Sequence, residues 1–72
     1  ASNEKLLARA VRIVMEVTGC TAQEAERVLG RTGNHVKLAI LVAMTGMDVE
    51  AARAALSASG GFLRRAIEGA RT

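Results

Sequence analysis

One stretch of this 72-residue chain occurs twice at a fixed spacing. TGCTAQEAERVLGRTGNHVKLAI begins at Thr18, and TGMDVEAARAALSASGGFLRRAI begins at Thr45, an offset of 27 residues without a gap. The residues that agree include glycines and small or aliphatic side chains: Gly19 with Gly46, Ala25 with Ala52, Leu29 with Leu56, Gly33 with Gly60, and Ala39-Ile40 with Ala66-Ile67. The repeat therefore predicts one packing unit that is used twice.

The composition favours helices, since half of the residues are apolar and proline is absent,. We predict an all-α fold in which five short helices make a single domain. The predicted helices cover about residues 4–17, 22–31, 35–45, 49–58 and 62–69. Asn3, Thr21, Asn34 and Asp48 are the predicted caps, and Glu24 is placed to complete a capping box with Thr21.

Each predicted helix has apolar residues at helical spacing, and these predict its buried side. In the first helix they are Leu6, Ala10, Ile13, Val14 and Val17. In the second and fourth helices they are Ala25, Val28, Leu29, Ala52, Ala55 and Leu56. The last predicted helix carries Phe62, Leu63, Ala66 and Ile67.

The third predicted helix is apolar on all sides. Lys37 is its only charged residue between positions 36 and 44, and a helix of this kind has to be covered all round. In the repeat, residues 40–44 align with residues 13–17, while residues 36–40 align with residues 63–67. The third helix therefore serves as the last helix of one three-helix unit and the first helix of the next. Two overlapping units that share this central helix would enclose one core.

The charges favour a solvated surface over a nucleic-acid interface. The net charge is +3, but basic and acidic residues alternate along the chain, and Phe62 is the single aromatic residue available for base stacking,. The longest apolar run, residues 38–44, is far shorter than a membrane span. Cys20 stands alone, without a partner for a disulfide or a paired zinc motif,. We therefore expect no nucleic-acid or membrane partner, and a soluble protein of a reducing compartment.

The sequence lacks a recognisable catalytic motif. It contains no HExxH, no phosphate-binding Walker loop, no GxGxxG and no nucleophile elbow. Its one histidine, His35, begins the third helix and aligns with Phe62, which favours a partly buried residue at a helix start over a functional imidazole. We assign no catalytic residue, no metal ligand and no cofactor-binding residue to this chain.

The first unit resembles a ubiquitin-associated domain. The resemblance rests on a loop, the helix capped at Thr21, the sequence Thr32-Gly33-Asn34 and the apolar third helix. Cys20 stands where ubiquitin-binding members usually have an aromatic or large apolar residue. This resemblance implies an alternative function, a free-standing protein-interaction module with an exposed apolar patch around Cys20 and the end of the third helix.

A longer resemblance covers about residues 2–68. The segments NEKLLARAVRIVMEVTGC, GNHVKLAILVAMTGMDVEAARAAL and GGFLRRAIE are similar to the carboxyl-terminal region of bacterial N-acetylmuramic acid 6-phosphate etherases. The eukaryotic glucokinase regulatory protein has a related helical lid. In this family the helical region follows a sugar-isomerase-type α/β domain, so the resemblance implies that the chain is a fragment of a larger protein.

The resemblance implies a cytoplasmic, homodimeric lyase of peptidoglycan recycling and amino-sugar metabolism. Such an enzyme removes the D-lactyl ether of its phosphosugar substrate to give N-acetylglucosamine 6-phosphate and D-lactate, without a metal or cofactor. The catalytic carboxylates belong to the α/β domain, which leaves this chain the role of a helical lid that is not catalytic alone. Asn3 and Lys5, next to the join between the two parts, are the implied substrate-proximal residues.

Overall fold

The computed structural model describes residues 3–71, which form five α-helices and no strand within that range. The helices are α1 (Asn3–Thr18), α2 (Ala22–Arg31), α3 (Val36–Thr45), α4 (Val49–Ala58) and α5 (Leu63–Arg71). The prediction of an all-α fold with five helices is confirmed. The bounds of α2 and α4 coincide with the predicted ranges, while the other helices differ from them by one or two residues at an end.

The central helix α3 packs against every other helix. α1, α2 and α3 contact one another, and so do α3, α4 and α5. Five consecutive residues of α3, Leu38 to Val42, are buried. The two three-helix units therefore share α3, as the repeat predicted, and together they form an elongated body of 37 × 21 × 17 Å.

The repeated small and aliphatic residues form the core of both units. Ala25 and Ala52 are both fully buried, and Leu29 and Leu56 follow them four positions later on the buried sides of α2 and α4. An alanine at the contact lets two helix backbones approach closely, while the leucine fills the space beside it. The repeat thus preserves the packing of a helix pair against its third helix.

The turns that leave α1 and α3 are also copies of each other. The Thr18 hydroxyl donates to the Val14 carbonyl at 2.7 Å, and the Thr45 hydroxyl donates to the Leu41 carbonyl at 2.6 Å. Each hydroxyl oxygen then accepts a backbone N–H two residues later, from Cys20 or Met47, at 3.2 Å. The chain therefore leaves the first helix of each unit through the same hydrogen-bonded turn.

Two of the predicted caps are confirmed. The Thr21 hydroxyl accepts the Glu24 N–H at 3.1 Å at the start of α2. The Asp48 carboxylate accepts the Ala51 N–H at 2.7 Å at the start of α4. Both bonds satisfy one of the backbone donors that a helix start leaves unpaired.

The predicted cap at Asn34 is wrong, because Asn34 belongs to the turn that closes α2. Its N–H donates to the Leu29 carbonyl at 2.8 Å, and its counterpart Gly61 makes the same bond to Leu56 at 2.9 Å. Both residues have positive φ, 63° at Asn34 and 83° at Gly61, whereas a capping residue needs an extended backbone. Asparagine is among the few non-glycine residues that tolerate this left-handed conformation.

His35 is the residue that caps α3. Its backbone is extended, and its Nδ1 accepts the Leu38 N–H at 3.3 Å. The side chain is exposed, so the expectation that His35 is partly buried is wrong. The imidazole stays near solvent because a cap lies outside the first turn of its helix.

The first helix differs from the prediction in its start and in its buried side. α1 begins at Asn3, which places Asn3 inside the first turn instead of at the cap. Of the five residues predicted to be buried, only Ala10 and Val14 are; the others are exposed, Leu6 by 59%, Ile13 by 36% and Val17 by 51%. The half-buried residues Val11 and Met15 pack against the core instead.

This rotation of α1 has a physical reason. Its apolar residues cover more than half of its circumference, and α2 and α3 lie on one side of it. Only the row centred on Ala10 and Val14 can face both neighbours, which leaves the adjacent row outside. Phe62, which precedes α5, is also exposed, by 60%. The centre of its ring lies 5.0 Å from Cζ of the Arg65 guanidinium.

If α3 is the centre of the core, truncating it should cost far more stability than removing a cap. Ile40 is 4% exposed, and Ile40→Ala should lower the free energy of unfolding by about 2–5 kcal/mol. Thr21→Ala and Asp48→Ala should each cost about 1 kcal/mol. Urea denaturation of the three variants measures this, and similar losses at Ile40 and Thr21 would contradict the shared core.

The left-handed backbone of Asn34 leads to a second prediction about stability. Asn34→Ala should destabilise the chain by about 1 kcal/mol, because alanine lacks the tolerance of asparagine for positive φ. Asn34→Gly is the matched control and should be close to neutral, since glycine occupies the equivalent position 61. Equal urea midpoints for the alanine and glycine variants would show that the turn is not held in this conformation.

Candidate functional site

An apolar groove lies where α1, α3 and α5 come together. Val17 and Met44 line it from the ends of α1 and α3, and Leu63 and Ile67 line it from α5. Val17 and Met44 are 51% and 42% exposed. Arg64 and Glu68 stand at its edge. The groove therefore offers aliphatic surface to solvent beside charges of both signs.

Two further exposed apolar residues of α1 lie in line with Val17. Ile13 lies one turn before Val17, and Leu6 lies two turns before Ile13, so the three side chains form one row along the helix. We call this row together with Met44 and Ile67 the α1 face. It contains four of the six large apolar side chains that the structure exposes; the other two are Leu7 and Phe62.

A second cleft, of about 460 Å³, lies between α2, α3 and the start of α4. Its lining includes Glu24, Arg27, Arg31 and Asp48, so charges of both signs face it. Cys20 also lines it and is half-buried against the core. The interaction-module alternative predicts an exposed apolar patch around Cys20 and the end of α3. The surface around Cys20 is instead a cleft with charged residues, and the exposed apolar residue at the end of α3, Met44, lies in the groove.

The two residues implied as substrate-proximal lie on the first turn of α1. Asn3 and Lys5 are both exposed. They are two positions apart, which separates them by about 200° around a helix. Asn3 lies nearer the row of Leu6, while Lys5 lies on the charged side with Arg9 and Arg12. The structure does not bring Asn3 and Lys5 together, and their contact with substrate stays a prediction.

His35 and Thr32 have structural roles. His35 holds the start of α3, and the buried Thr32 donates its hydroxyl to the Val28 carbonyl at 2.9 Å. Across residues 3–71 no group of three His, Cys, Asp or Glu side chains is placed to hold a metal ion. None of the helices within this range is long and apolar enough to cross a membrane.

The α1 face is the feature that sequence reasoning missed. Its signal lay in the repeat: Ile13 and Val17 of α1 align with Ile40 and Met44 of α3. Only α3 has helices of both units around it. The same residue types on α1 could not all be covered by two neighbours.

Known proteins similar to this chain are N-acetylmuramic acid 6-phosphate etherases. The one from Mesorhizobium japonicum is 68% identical over 92% of the chain, the one from Rhizobium rhizogenes is 67% identical over 93%, and etherase 2 from Vibrio cholerae is 59% identical over 94%. The chain spans 22% of the length of each of these curated relatives. No family model and no solved structure matches the chain. The relatives confirm the resemblance to the etherase family.

Proposed function

We propose that this chain, which matches one segment of the N-acetylmuramic acid 6-phosphate etherase family along more than nine-tenths of its length, is the carboxyl-terminal helical lid of such an etherase. The observation that carries the proposal is the 68% identity to the Mesorhizobium japonicum etherase. Identity at this level, extending over all five helices, supports a common fold and a common place in the larger enzyme.

A helical lid has a physical role in the proposed reaction. The D-lactyl ether is cleaved by elimination, and water then adds, so that N-acetylglucosamine 6-phosphate and D-lactate are formed. Carboxylates of the sugar-isomerase-type α/β domain perform the proton transfers. A helical lid over the pocket controls the entry of water and completes the walls around the phosphosugar.

The partners of the chain follow from this role. The first is the α/β domain of the same polypeptide, and the second is another copy of the whole etherase in a homodimer. The phosphosugar is bound by the parent enzyme, which we place in the cytoplasm and in peptidoglycan recycling. The rigid two-unit core suits a lid, because the shared α3 lets five helices move as one body.

The isolated chain should neither bind nor cleave the phosphosugar. We expect no chemical-shift changes when N-acetylmuramic acid 6-phosphate or N-acetylglucosamine 6-phosphate is titrated to millimolar concentration in heteronuclear NMR. We also expect no release of D-lactate. Specific shifts around Asn3 and Lys5 would contradict the proposal that the site is formed by the α/β domain.

The lid role itself is tested in a chimera in which this chain replaces the matching segment of the Mesorhizobium japonicum etherase. Deleting the segment should lower kcat/KM at least about tenfold, which is about 1.4 kcal/mol of transition-state stabilisation, and the chimera should restore it. D-Lactate release under steady-state conditions measures both. A truncated enzyme with unchanged kcat/KM would contradict the lid role.

Asn3 and Lys5 are tested one at a time in the same chimera. A hydrogen bond to a charged group contributes about 1.5–3 kcal/mol, so losing a contact with the sugar phosphate should raise KM at least about tenfold. Because the two residues lie on different sides of α1, we expect only one of Asn3→Ala and Lys5→Ala to show this increase. Arg12→Ala, two turns along the side of Lys5, is the control and should leave KM unchanged. An unchanged KM for both variants would remove Asn3 and Lys5 from the substrate site.

A further inference from the structure

We infer that the α1 face, formed by Leu6, Ile13, Val17, Met44 and Ile67, is the surface on which the α/β domain of the same etherase chain packs. This inference rests on the proposed function, because it takes the missing part of an etherase as the occupant. It goes further by assigning the contact to one side of the five-helix body.

The distribution of exposed apolar side chains is the first argument. Of the six large ones, Leu6, Ile13 and Val17 lie in one row along α1, and Met44 lies beside Val17 in the groove. Single exposed apolar residues are ordinary on a protein surface, whereas a contiguous group of them marks a site of contact. Leu7 and Phe62 lie outside the α1 face: Leu7 faces Ala8, Val11 and Glu26, and the ring of Phe62 lies beside Arg65.

The internal repeat supplies the second argument. Ile13 of α1 occupies the position that Ile40 occupies in α3. Ile40 is 4% exposed because α3 has helices on both of its sides, whereas Ile13 is 36% exposed on a helix that packs on α2 and α3. The equivalent position is thus covered where another layer of structure is present. By this comparison, a further layer of protein structure can pack on the exposed side of α1.

Apart from Leu63 and Ile67, which line the groove, α5 has no matching apolar surface within residues 63–70. Within residues 63–70, the exposed side chains of α5 are Arg64, Arg65, Glu68 and Ala70, and none of them is large and apolar. Stacked helical units typically present a polar face where the stack ends. The exposed apolar residues are therefore distributed unevenly over the five-helix body, and the apolar contact surface lies on the α1 side.

The size of the relatives indicates what the α1 face contacts. The chain matches 22% of the Mesorhizobium japonicum etherase, so most of that protein lies outside the matched segment. In the proposed arrangement the α/β domain precedes α1. The α1 face begins at Leu6, in the first two turns after that join. A domain attached there can reach the row along α1 without a long linker.

The chemistry of the α1 face fits a contact within one protein. Its centre is aliphatic, and Arg9, Glu16, Arg64 and Glu68 lie around it as exposed charges of both signs. An apolar centre with a polar edge is the usual composition of a specific interface. The expected complement on the α/β domain is an aliphatic strip that is likewise surrounded by charges.

Thiol labelling of cysteine variants tests the inference without relying on activity. Val17→Cys reports on the α1 face, and Phe62→Cys is the matched control, since Phe62 is similarly exposed but lies outside the face. Both are made with Cys20→Ala, which removes the half-buried thiol of the chain. Alkylation rates are read by peptide mass spectrometry in the isolated chain and in the Mesorhizobium japonicum chimera.

In the isolated chain the two cysteines should be alkylated at similar rates. In the chimera, Val17→Cys should react at least about tenfold more slowly, which corresponds to about 1.4 kcal/mol of docking free energy, while Phe62→Cys keeps its rate. Equal rates for Val17→Cys in both proteins would overturn the inference. Protection that appears in the isolated chain and grows with its concentration would also overturn it, by showing that a second copy covers the face.

D-Lactate release by the chimera and by the enzyme without the segment separates this inference from the proposed lid role. Protection of Val17→Cys together with activity that does not depend on the segment would support the docking face and contradict the lid. Unchanged labelling together with activity that depends on the segment would support the lid and contradict this docking face.

Discussion

The burial of α3 on all sides is the constraint on which this structure depends. An α-helix ordinarily leaves one side to solvent, and its polar residues then set its orientation. In α3 the five residues from Leu38 to Val42 are all buried, so neither unit can form its own core without this helix. Lys37, its one charged residue, stays exposed, and its ammonium donates to the Gly61 carbonyl at 3.2 Å. That bond ties the shared helix to the turn that precedes α5.

The sharing of α3 explains which residues are the same in both repeats. The alanines and leucines at equivalent positions belong to the core that packs two helix pairs against one central helix. The threonine turns after α1 and α3 repeat the same pair of hydrogen bonds. Surface residues are free of these requirements, and there the two units differ. Such a body is small and poor in aromatic residues, so contact with a larger domain adds to the apolar area that it buries.

The sequence allowed the architecture to be predicted because the caps at Thr21 and Asp48, the glycines and the repeat indicated the same boundaries. It did not allow the rotation of α1 to be predicted. Val11 and Met15 are as apolar as Ile13 and Val17, so periodicity alone cannot decide which row faces the core; the positions of α2 and α3 decide it. Asn34 was misplaced for a related reason, because asparagine suits both a cap and a left-handed turn.

The candidate site, too, could be predicted only in part from the sequence. Asn3 and Lys5 were assigned by family resemblance, and the helix geometry separates them. The α1 face depends on which residues two neighbouring helices leave uncovered, and that information exists only in three dimensions. A lid with one apolar side and one charged side would have a defined orientation on the domain that it covers. On this account the fold supplies a rigid body and the α1 face supplies its attachment.

Native-state hydrogen exchange of the isolated chain tests the shared core most directly. The amides of Leu29, Leu41 and Leu56 report on the first unit, the shared helix and the second unit. If both units depend on α3, the three amides should exchange with the same free energy of opening, equal to that of global unfolding. A first unit that opens while the second stays protected, or the reverse, would show that each unit has its own core and would contradict the account.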